Sequence, residues 1–276
     1  MCIRDSDNGL IGYTEDNNGR REYTIKIFNP VTMKELNDVI DRTTGKFIWS
    51  YDNDHIIYLK KDPITLIADS VYLHKIGSPS SSDILLYKEN DNEFNLSLSL
   101  SRTKKYIYIN IESTNSNEIR LIDTHNPINK PLVFISRMEN HLYYLEHIVE
   151  ENFFVRTNLD APNFKVTKIK SLNNIYLANF DTVISHSNST FINDILFITD
   201  NLVLEIRENG LPEIRIYNLK SNKEINIEFD NNAYDVSLAY NNELDGNYFN
   251  YYYSSLTTPL RVCLLYTSDA ADDALS

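Results

Sequence analysis

Side chains able to do acid–base or nucleophilic chemistry are plentiful in this chain, but their spacing builds none of the familiar catalytic devices. Nucleophilic hydrolysis on an α/β scaffold needs Gly-x-Ser-x-Gly, because a tight strand-to-helix elbow must lift the serine hydroxyl toward a histidine. The nearest string, Gly77-Ser78-Pro79-Ser80-Ser81, lacks the second glycine and reads as part of a polar inter-blade loop running to Ser82. No phosphate-cradling loop, dinucleotide fingerprint or His-Glu-x-x-His pair occurs. Among His55, His74, His125, His141, His147 and His186, only His141 and His147 are close in sequence, on opposite sides of a Leu-Tyr-Tyr-Leu strand turn. Each is expected as a polar or half-buried strand residue rather than a ligand. The acid clusters Asp52-Asn53-Asp54, Glu89 to Glu93 and Asp230-Asn231-Asn232 lack the glycine and terminal glutamate of a calcium loop and read as solvated hairpin tips. No catalytic residue, metal site or cofactor is expected here.

The elements that would position any site are strands. The 276 residues are 42% hydrophobic with only 7 Gly and 8 Pro, so a core can form. Tyr (19) and Phe (12) dominate the aromatics, which favours β-structure. Period-two runs such as Tyr-Thr-Ile-Lys-Ile-Phe (23–28), Tyr-Ile-Tyr-Ile-Asn-Ile (106–111) and Glu-Ile-Arg-Ile-Tyr (213–217) alternate with Asx, Ser and Gly turns. Above this lies a coarser rhythm: comparable strands centre on Ile57, Tyr108, Phe154, Val203 and Tyr252, spaced 51, 46, 49 and 49 residues apart. A repeat of that length holds about four strands, the content of one β-propeller blade. A β-sandwich also supplies short strands with regular turns, so the pattern favours the propeller without excluding the sandwich. Lys and Arg number 26 against 39 Asp and Glu, a net charge of -13 that repels phosphate backbones and anionic headgroups. With no run of 18 apolar residues either, neither nucleic acid nor membrane is an expected partner.

Both cysteines, Cys2 and Cys263, sit in terminal segments unlike the rest. Met-Cys-Ile-Arg-Asp-Ser (1–6) is encoded by ATGTGTATAAGAGACAG plus one base. The reverse complement, read from its second base, encodes Cys-Leu-Leu-Tyr-Thr and begins a Ser codon, which is the run from Cys263 to Ser268. The two ends therefore read as opposite strands of one sequencing-library adapter, with Ser-Asp-Ala-Ala-Asp-Asp (268–273) as its continuation. Residues 1–6 and 260–276 are expected to be adapter-derived, and residues 7–259 to be the authentic chain, its true start missing.

Several strings, in order, resemble the N-terminal propeller of the prolyl oligopeptidase family, and of its oligopeptidase B branch. They are Glu15-Asp16 with Gly19-Arg20-Arg21-Glu22-Tyr23; Phe47-Ile48-Trp49-Ser50-Tyr51-Asp52; Asp62-Pro63-Ile64-Thr65-Leu66 leading to His74-Lys75-Ile76-Gly77; Asp83 to Glu89 with Asp91 and Phe94; Ser116 to Leu121; Arg207-Glu208-Asn209-Gly210-Leu211; and Tyr253 to Pro259. Lys88 departs from the pattern, standing where the family has an acid.

The resemblance implies an all-β fold, a partial propeller of about five of seven four-stranded blades whose ring is not closed. It implies a parent serine endopeptidase that cuts short peptides after Arg or Lys, with the Ser-Asp-His triad in an α/β-hydrolase domain following Pro259. That domain and short cationic peptides are the implied partners, and a cytoplasmic location is implied by the family alone. No triad residue maps onto this chain, so the piece by itself is expected to be inactive. The propeller would cover the catalytic cavity and exclude large substrates. Arg20 and Arg21 are candidate inter-domain or substrate-binding residues, because paired guanidiniums hold carboxylates bidentately; a solvent-facing pair is the plainer alternative. The competing readings are a stand-alone, non-enzymatic interaction propeller, which predicts recurring Trp-Asp signatures although Trp49 is the single tryptophan, and a propeller glycosidase with paired carboxylates. An open ring exposes sheet faces and edges, so the isolated chain is expected to be marginally stable.

Overall fold

The alternating runs become 22 β-strands in a computed structural model that describes residues 2–5 (backbone), 9–173, 175–176, 179–229, 233–244 and 246–267. Among the described residues there is no α-helix, hence none long and apolar enough to cross a membrane, and one 3-10 turn, Ser80–Ser82. The chain divides into two units, Met1–Asn140 and His141–Ser276, both built from antiparallel sheets whose successive strands pair.

Unit 1 opens with a seven-stranded sheet: β1 (Cys2–Asp5), β2 (Ile11–Glu15), β3 (Tyr23–Asn29), β4 (Lys34–Trp49), β5 (His55–Lys61), β6 (Ala68–Lys75) and β7 (Ile84–Lys88). Its width comes from β4, 16 residues long, which serves two four-stranded sets. The first part pairs with β3, from Lys34↔Asn29 to Thr43↔Tyr23; the second pairs with β5, through Phe47↔Tyr58 and Trp49↔Ile56. The two ladders meet at Thr43, which pairs with both Tyr23 and Lys60, and the register to β5 shifts between Thr43 and Phe47; Gly45 in that stretch has a φ of 80°, in the left-handed region, and its missing Cβ leaves room for the Tyr23 ring. A second sheet of unit 1 contains β8 (Asn95–Leu100), β9 (Tyr106–Glu112), β10 (Asn117–Asp123) and β11 (Leu132–Ile135).

Strand β5 shows why the sheets stack. Ile57 and Leu59 face one side, with Val71, Leu73, Leu98, Ile107 and Ile109; Ile56 and Tyr58 face the other, with Ile25, Ile27, Ile40 and Phe47. A strand buried on both faces needs a neighbour on each, and each such side chain contributes roughly 1.5–3 kcal/mol by leaving water. Unit 2 repeats the plan in β12 (Tyr143–Val149), β13 (Asn152–Thr157), β14 (Lys165–Ile169) and β15 (Asp181–Ile184), then β16 (Thr190–Ile198), β17 (Asn201–Glu208), β18 (Leu211–Asn218) and β19 (Lys223–Asn226), and lastly the three-stranded β20 (Tyr234–Leu238), β21 (Tyr248–Ser255) and β22 (Arg261–Tyr266). There Leu202, Leu204 and Ile206 pack toward Phe154 and Val166, while Val203 packs toward Val236 and Phe249.

The 49-residue rhythm is thus a real structural period. Ile57, Tyr108, Phe154, Val203 and Tyr252 lie in β5, β9, β13, β17 and β21, the second strand of each set. Two expectations need correction. The loop from Gly77 to Ser82 lies within a set, between β6 and β7, because Tyr72↔Leu85 pairing continues the sheet across it. Glu89 to Glu93 is a connection from β7 to the next sheet rather than a solvated hairpin tip, and it is anchored by Glu89. Both terminal segments also pair as strands: β1 along β2, and β22 along β21 from Tyr248↔Tyr266 to Tyr253↔Arg261. The side chains of β22 stay largely outside, with Val262 66%, Leu264 50% and Tyr266 43% exposed.

Candidate functional site

Arg20 and Arg21 sit in the turn between β2 and β3, and their backbone is held firmly. The Asp16 carboxylate accepts the N–H groups of Asn18, Gly19 and Arg21, and Asn18 Oδ1 accepts that of Arg20. Arg21 takes a φ of 58°, and Lys61 Nζ donates to its carbonyl at 2.6 Å, tying this turn to the end of β5. Both side chains are exposed, and neither guanidinium has an ion-pair or hydrogen-bond partner among the described residues. Within this chain the two guanidiniums are a solvent-facing pair.

Beside it, the loop from β5 to β6 is equally well built. Asp62 Oδ1 accepts from Ile64 and Thr65 N–H, and those bonds hold its carboxyl below the usual range. Asp62 and Ile67 close the loop backbone to backbone at 2.9 Å. The outcome is an apolar knuckle turned to water: Ile64 is 88% exposed, and Leu66 and Ile67 are both exposed. Between this knuckle and the β7–β8 connection lies a cavity of about 300 Å³ with Asp62, Asp69, Glu89 and Asp91 around Ala68 and Phe94. Every one of these carboxylates has an internal partner. Asp69 pairs with Lys88 at 2.5 Å, and Asp91 accepts from Glu93 N–H. Glu89 accepts from Tyr87 OH at 2.6 Å and from Arg137 at 2.5 Å. Burial would push the Glu89 carboxyl up, but Tyr87 and Arg137 hold it down; burial and Glu89 in turn push the Tyr87 phenol up to about 12. Arg137 also stacks 4.0 Å over Phe94.

The most concentrated buried charge lies elsewhere in unit 1. His74 on β6 is fully buried between two carboxylates, Nε2 at 2.8 Å from Asp38 and Nδ1 at 2.6 Å from Asp83. Gly77 N–H donates to Asp38, and Tyr58 OH donates to Asp83 at 2.8 Å. Burial alone would lower the imidazole; the carboxylates reverse that and hold it at about 9. Both ring nitrogens are occupied, so the group can serve neither as a metal ligand nor as a base toward an outside molecule. It fastens the β6–β7 loop to β4.

Of the remaining histidines, His55 and His147 lie in strands, β5 and β12, as expected, whereas His125, His141 and His186 lie in turns or loops, and the expected turn at 142–145 instead runs into β12 from Tyr143. His141 bonds Thr157 Oγ1 at 2.9 Å from the loop before β12, and His147 within β12 contacts the Glu150 carbonyl at 3.0 Å. His125 stacks on Tyr51 at 3.9 Å. No group of three or more His, Cys, Asp or Glu suited to a metal exists among the described residues. Asp52 accepts from Ser50 and Asp54 in a hairpin turn, as expected, whereas Asp230-Asn231-Asn232 lies outside the described residues. One carboxylate pair does arise by register: Asp194 on β16 faces Glu205 on β17, next to buried Arg156 stacked on Tyr144 and Phe164. Burial pushes Glu205 up, although Leu238 N–H and Asn193 bond to it.

Sequence reasoning missed the Asp38–His74–Asp83 cluster because its members are separated by strand pairing. It also missed the exposure of Ile64, Leu66 and Ile67, although Asp62-Pro63 followed by Ile64-Thr65-Leu66-Ile67 marked a turn with apolar residues in it.

Comparison with known proteins bears on this arrangement. The family model described as "Prolyl oligopeptidase, N-terminal beta-propeller domain" matches residues 5–275, running into both terminal segments. A "Dipeptidyl aminopeptidase BI" of Pseudoxanthomonas mexicana is 31% identical over 92% of this chain and 35% of its own length. "Protease 2" of Moraxella lacunata is 28% identical over 92% of this chain and 36% of its own. The solved structure of oligopeptidase B from Leishmania major superposes with a TM-score of 0.87 at 22% identity, covering 98% of this chain and 39% of that one. The chain therefore spans about a third of the length of the curated relatives it matches.

Proposed function

Because the chain belongs to the prolyl oligopeptidase family, whose N-terminal β-propeller domain it carries, we propose that it is the gating portion of an oligopeptidase B-like serine endopeptidase that hydrolyses short peptides after Arg or Lys. The observation that carries this is the family match over nearly the whole chain, set beside relatives close to three times as long. On this reading the Ser, Asp and His of the triad belong to an α/β-hydrolase domain encoded after Pro259, and the stacked sheets limit which substrates reach it. The acidic balance of residues 7–259, 24 Lys and Arg against 35 Asp and Glu, raises the local concentration of cationic peptides. Arg20 and Arg21, rigidly mounted and unpaired, are the residues we assign to contact across the domain boundary. A cytoplasmic location belongs to the same reading.

Residues 1–6 and 260–276 are, on the same proposal, translated adapter. Its support is the strand complementarity of the two coding segments.

The experiment is to recover the uninterrupted gene, express its full product and assay peptides with Arg, Lys or a neutral residue before the scissile bond. The expected result is a hydrolase domain with a Gly-x-Ser-x-Gly elbow and cleavage confined to basic residues, slowed by Arg20→Glu with Arg21→Glu. A stop codon directly after Pro259, or cleavage indifferent to the basic residue, overturns the proposal.

A further inference from the structure

The dipeptide Asn-Gly occurs three times in this chain, at Asn8-Gly9, Asn18-Gly19 and Asn209-Gly210. It is the pairing in which an asparagine carboxamide is most open to attack by the next backbone nitrogen, because glycine has no Cβ to crowd that nitrogen. Asn8 lies outside the described residues. The other two pairs stand in exposed hairpin turns, Asn18-Gly19 between β2 and β3 and Asn209-Gly210 between β17 and β18. Both glycines have a left-handed φ, 71° and 86°. Sequence and exposure therefore do not tell the two pairs apart; their hydrogen bonds do.

At the first pair both reacting groups are held. Gly19 N–H donates to the Asp16 carboxylate at 2.8 Å, and Asn18 Oδ1 accepts Arg20 N–H at 3.0 Å. At the second pair the surrounding bonds close the turn but leave those groups out. Glu208 pairs with Leu211 across the two-residue loop, and Arg207 Nη1 donates to the Gly210 carbonyl at 3.1 Å. Neither the Asn209 carboxamide nor the Gly210 N–H has a partner among the described residues.

We infer that Asn209 is a site of spontaneous covalent modification, at which the Gly210 nitrogen converts the carboxamide to a mixture of aspartate and isoaspartate with water as co-reactant. Hydroxide takes the Gly210 N–H proton, and the nitrogen bonds to Asn209 Cγ. The Cγ–Nδ2 bond breaks, Nδ2 leaves as ammonia with a proton from water, and a five-membered succinimide closes. Water then adds at one of the two ring carbonyls. Cleavage at Cγ gives aspartate on an ordinary peptide bond; cleavage at the Asn209 backbone carbonyl leaves the chain running through Cβ and Cγ as isoaspartate. Either product brings a negative charge beside Arg207. Isoaspartate also adds a backbone atom to a loop whose length fixes the register of β17 on β18.

The test is incubation of the chain at mildly alkaline pH, with and without urea, followed by peptide mapping with electron-transfer fragmentation to separate aspartyl from isoaspartyl products. In urea Asn18 and Asn209 convert at similar rates, since no hydrogen bond remains to distinguish them. Without urea Asn209 converts at least about tenfold faster than Asn18, whose reacting groups must first be released by local opening. Asp16→Ala, which frees the Gly19 N–H, removes most of that difference. Asn209→Gln, whose longer side chain would have to close a six-membered ring, abolishes the product at this turn. Equal rates at the two pairs without urea overturn the inference, as does an Asn209 that converts only in urea. An Asp16→Ala chain in which Asn18 stays slow overturns it as well, because hydrogen bonding is then not what selects the site.

Discussion

The Asp38–His74–Asp83 clamp makes a stability prediction whose size and sign follow from its geometry. His74 is fully buried, with a carboxylate on each ring nitrogen at 2.8 and 2.6 Å. Its imidazole is held at about 9 against an ordinary value of 6.5. A folded-state value above the unfolded one means that the clamp's contribution is complete below pH 6.5, and is lost as pH rises through about 9. The difference corresponds to roughly 3 kcal/mol. Tyr58 does not confuse the window, since burial and Asp83 push its phenol well up and it remains a donor. His74→Gln leaves one buried carboxylate without a donor and should cost about 3–5 kcal/mol at pH 7, a loss that shrinks toward pH 10 as the wild type forfeits its own advantage. The measurement is urea denaturation of both proteins from pH 6 to 10, with an NMR titration of the His74 ring. Parallel pH profiles for the two proteins, or a ring that titrates near 6.5, would show that no charged clamp exists.

Three further outcomes are expected. Gly45→Ala places a Cβ 2.8 Å from the Tyr23 ring at a φ of 80°, and should lower stability by about 2–3 kcal/mol in the same denaturation assay. Arg137→Met removes the guanidinium from Glu89 and should cost about 2–4 kcal/mol at neutral pH. Because Glu89 is held below its ordinary value, that deficit should narrow as pH falls through the carboxylate range. Leu264→Lys should change stability by no more than about 0.5 kcal/mol, whereas Ile109→Ala in the core should cost about 2–5 kcal/mol, and near-equal losses would mean that β22 is a packed strand.

Much of the fold was legible because the controlling information is local. Period-two alternation and Asx turns sufficed for β3, β9 and β18, and the blade rhythm emerged because stacking buries both faces of the second strand of a set, as in β5, β9, β13 and β17. What local pattern could not show was the double use of β4. The polar run Arg42-Thr43-Thr44-Gly45-Lys46 reads as a turn between two strands, and only the pairing of Thr43 with both Tyr23 and Lys60 shows that the backbone runs through it as one strand. The site was legible only in part, for the same reason. Arg20 and Arg21 were visible as a pair, but their mounting on Asp16 and Lys61 is tertiary. Glu89 looked like one of a solvated run; Arg137, far along the sequence, makes it an anchor.

The terminal strands show where strand formation and side-chain packing part company. An open sheet edge offers a ladder of unpaired N–H and C=O groups to any extended segment, and alternating apolar residues suffice to occupy it. Arg261–Tyr266 meets that requirement, and so it pairs with β21 along six residues. Burial makes a stricter demand, because a neighbouring sheet must supply a complementary face. The interior strand β18 meets it with Ile214 and Ile216 at 0% and 2% exposure, while β22 leaves Val262 at 66%. Strand β22 is the last strand of a three-stranded set, with no further sheet among the described residues to cover it, so neither its backbone pairing nor its exposed side chains distinguish an adapter from an authentic strand.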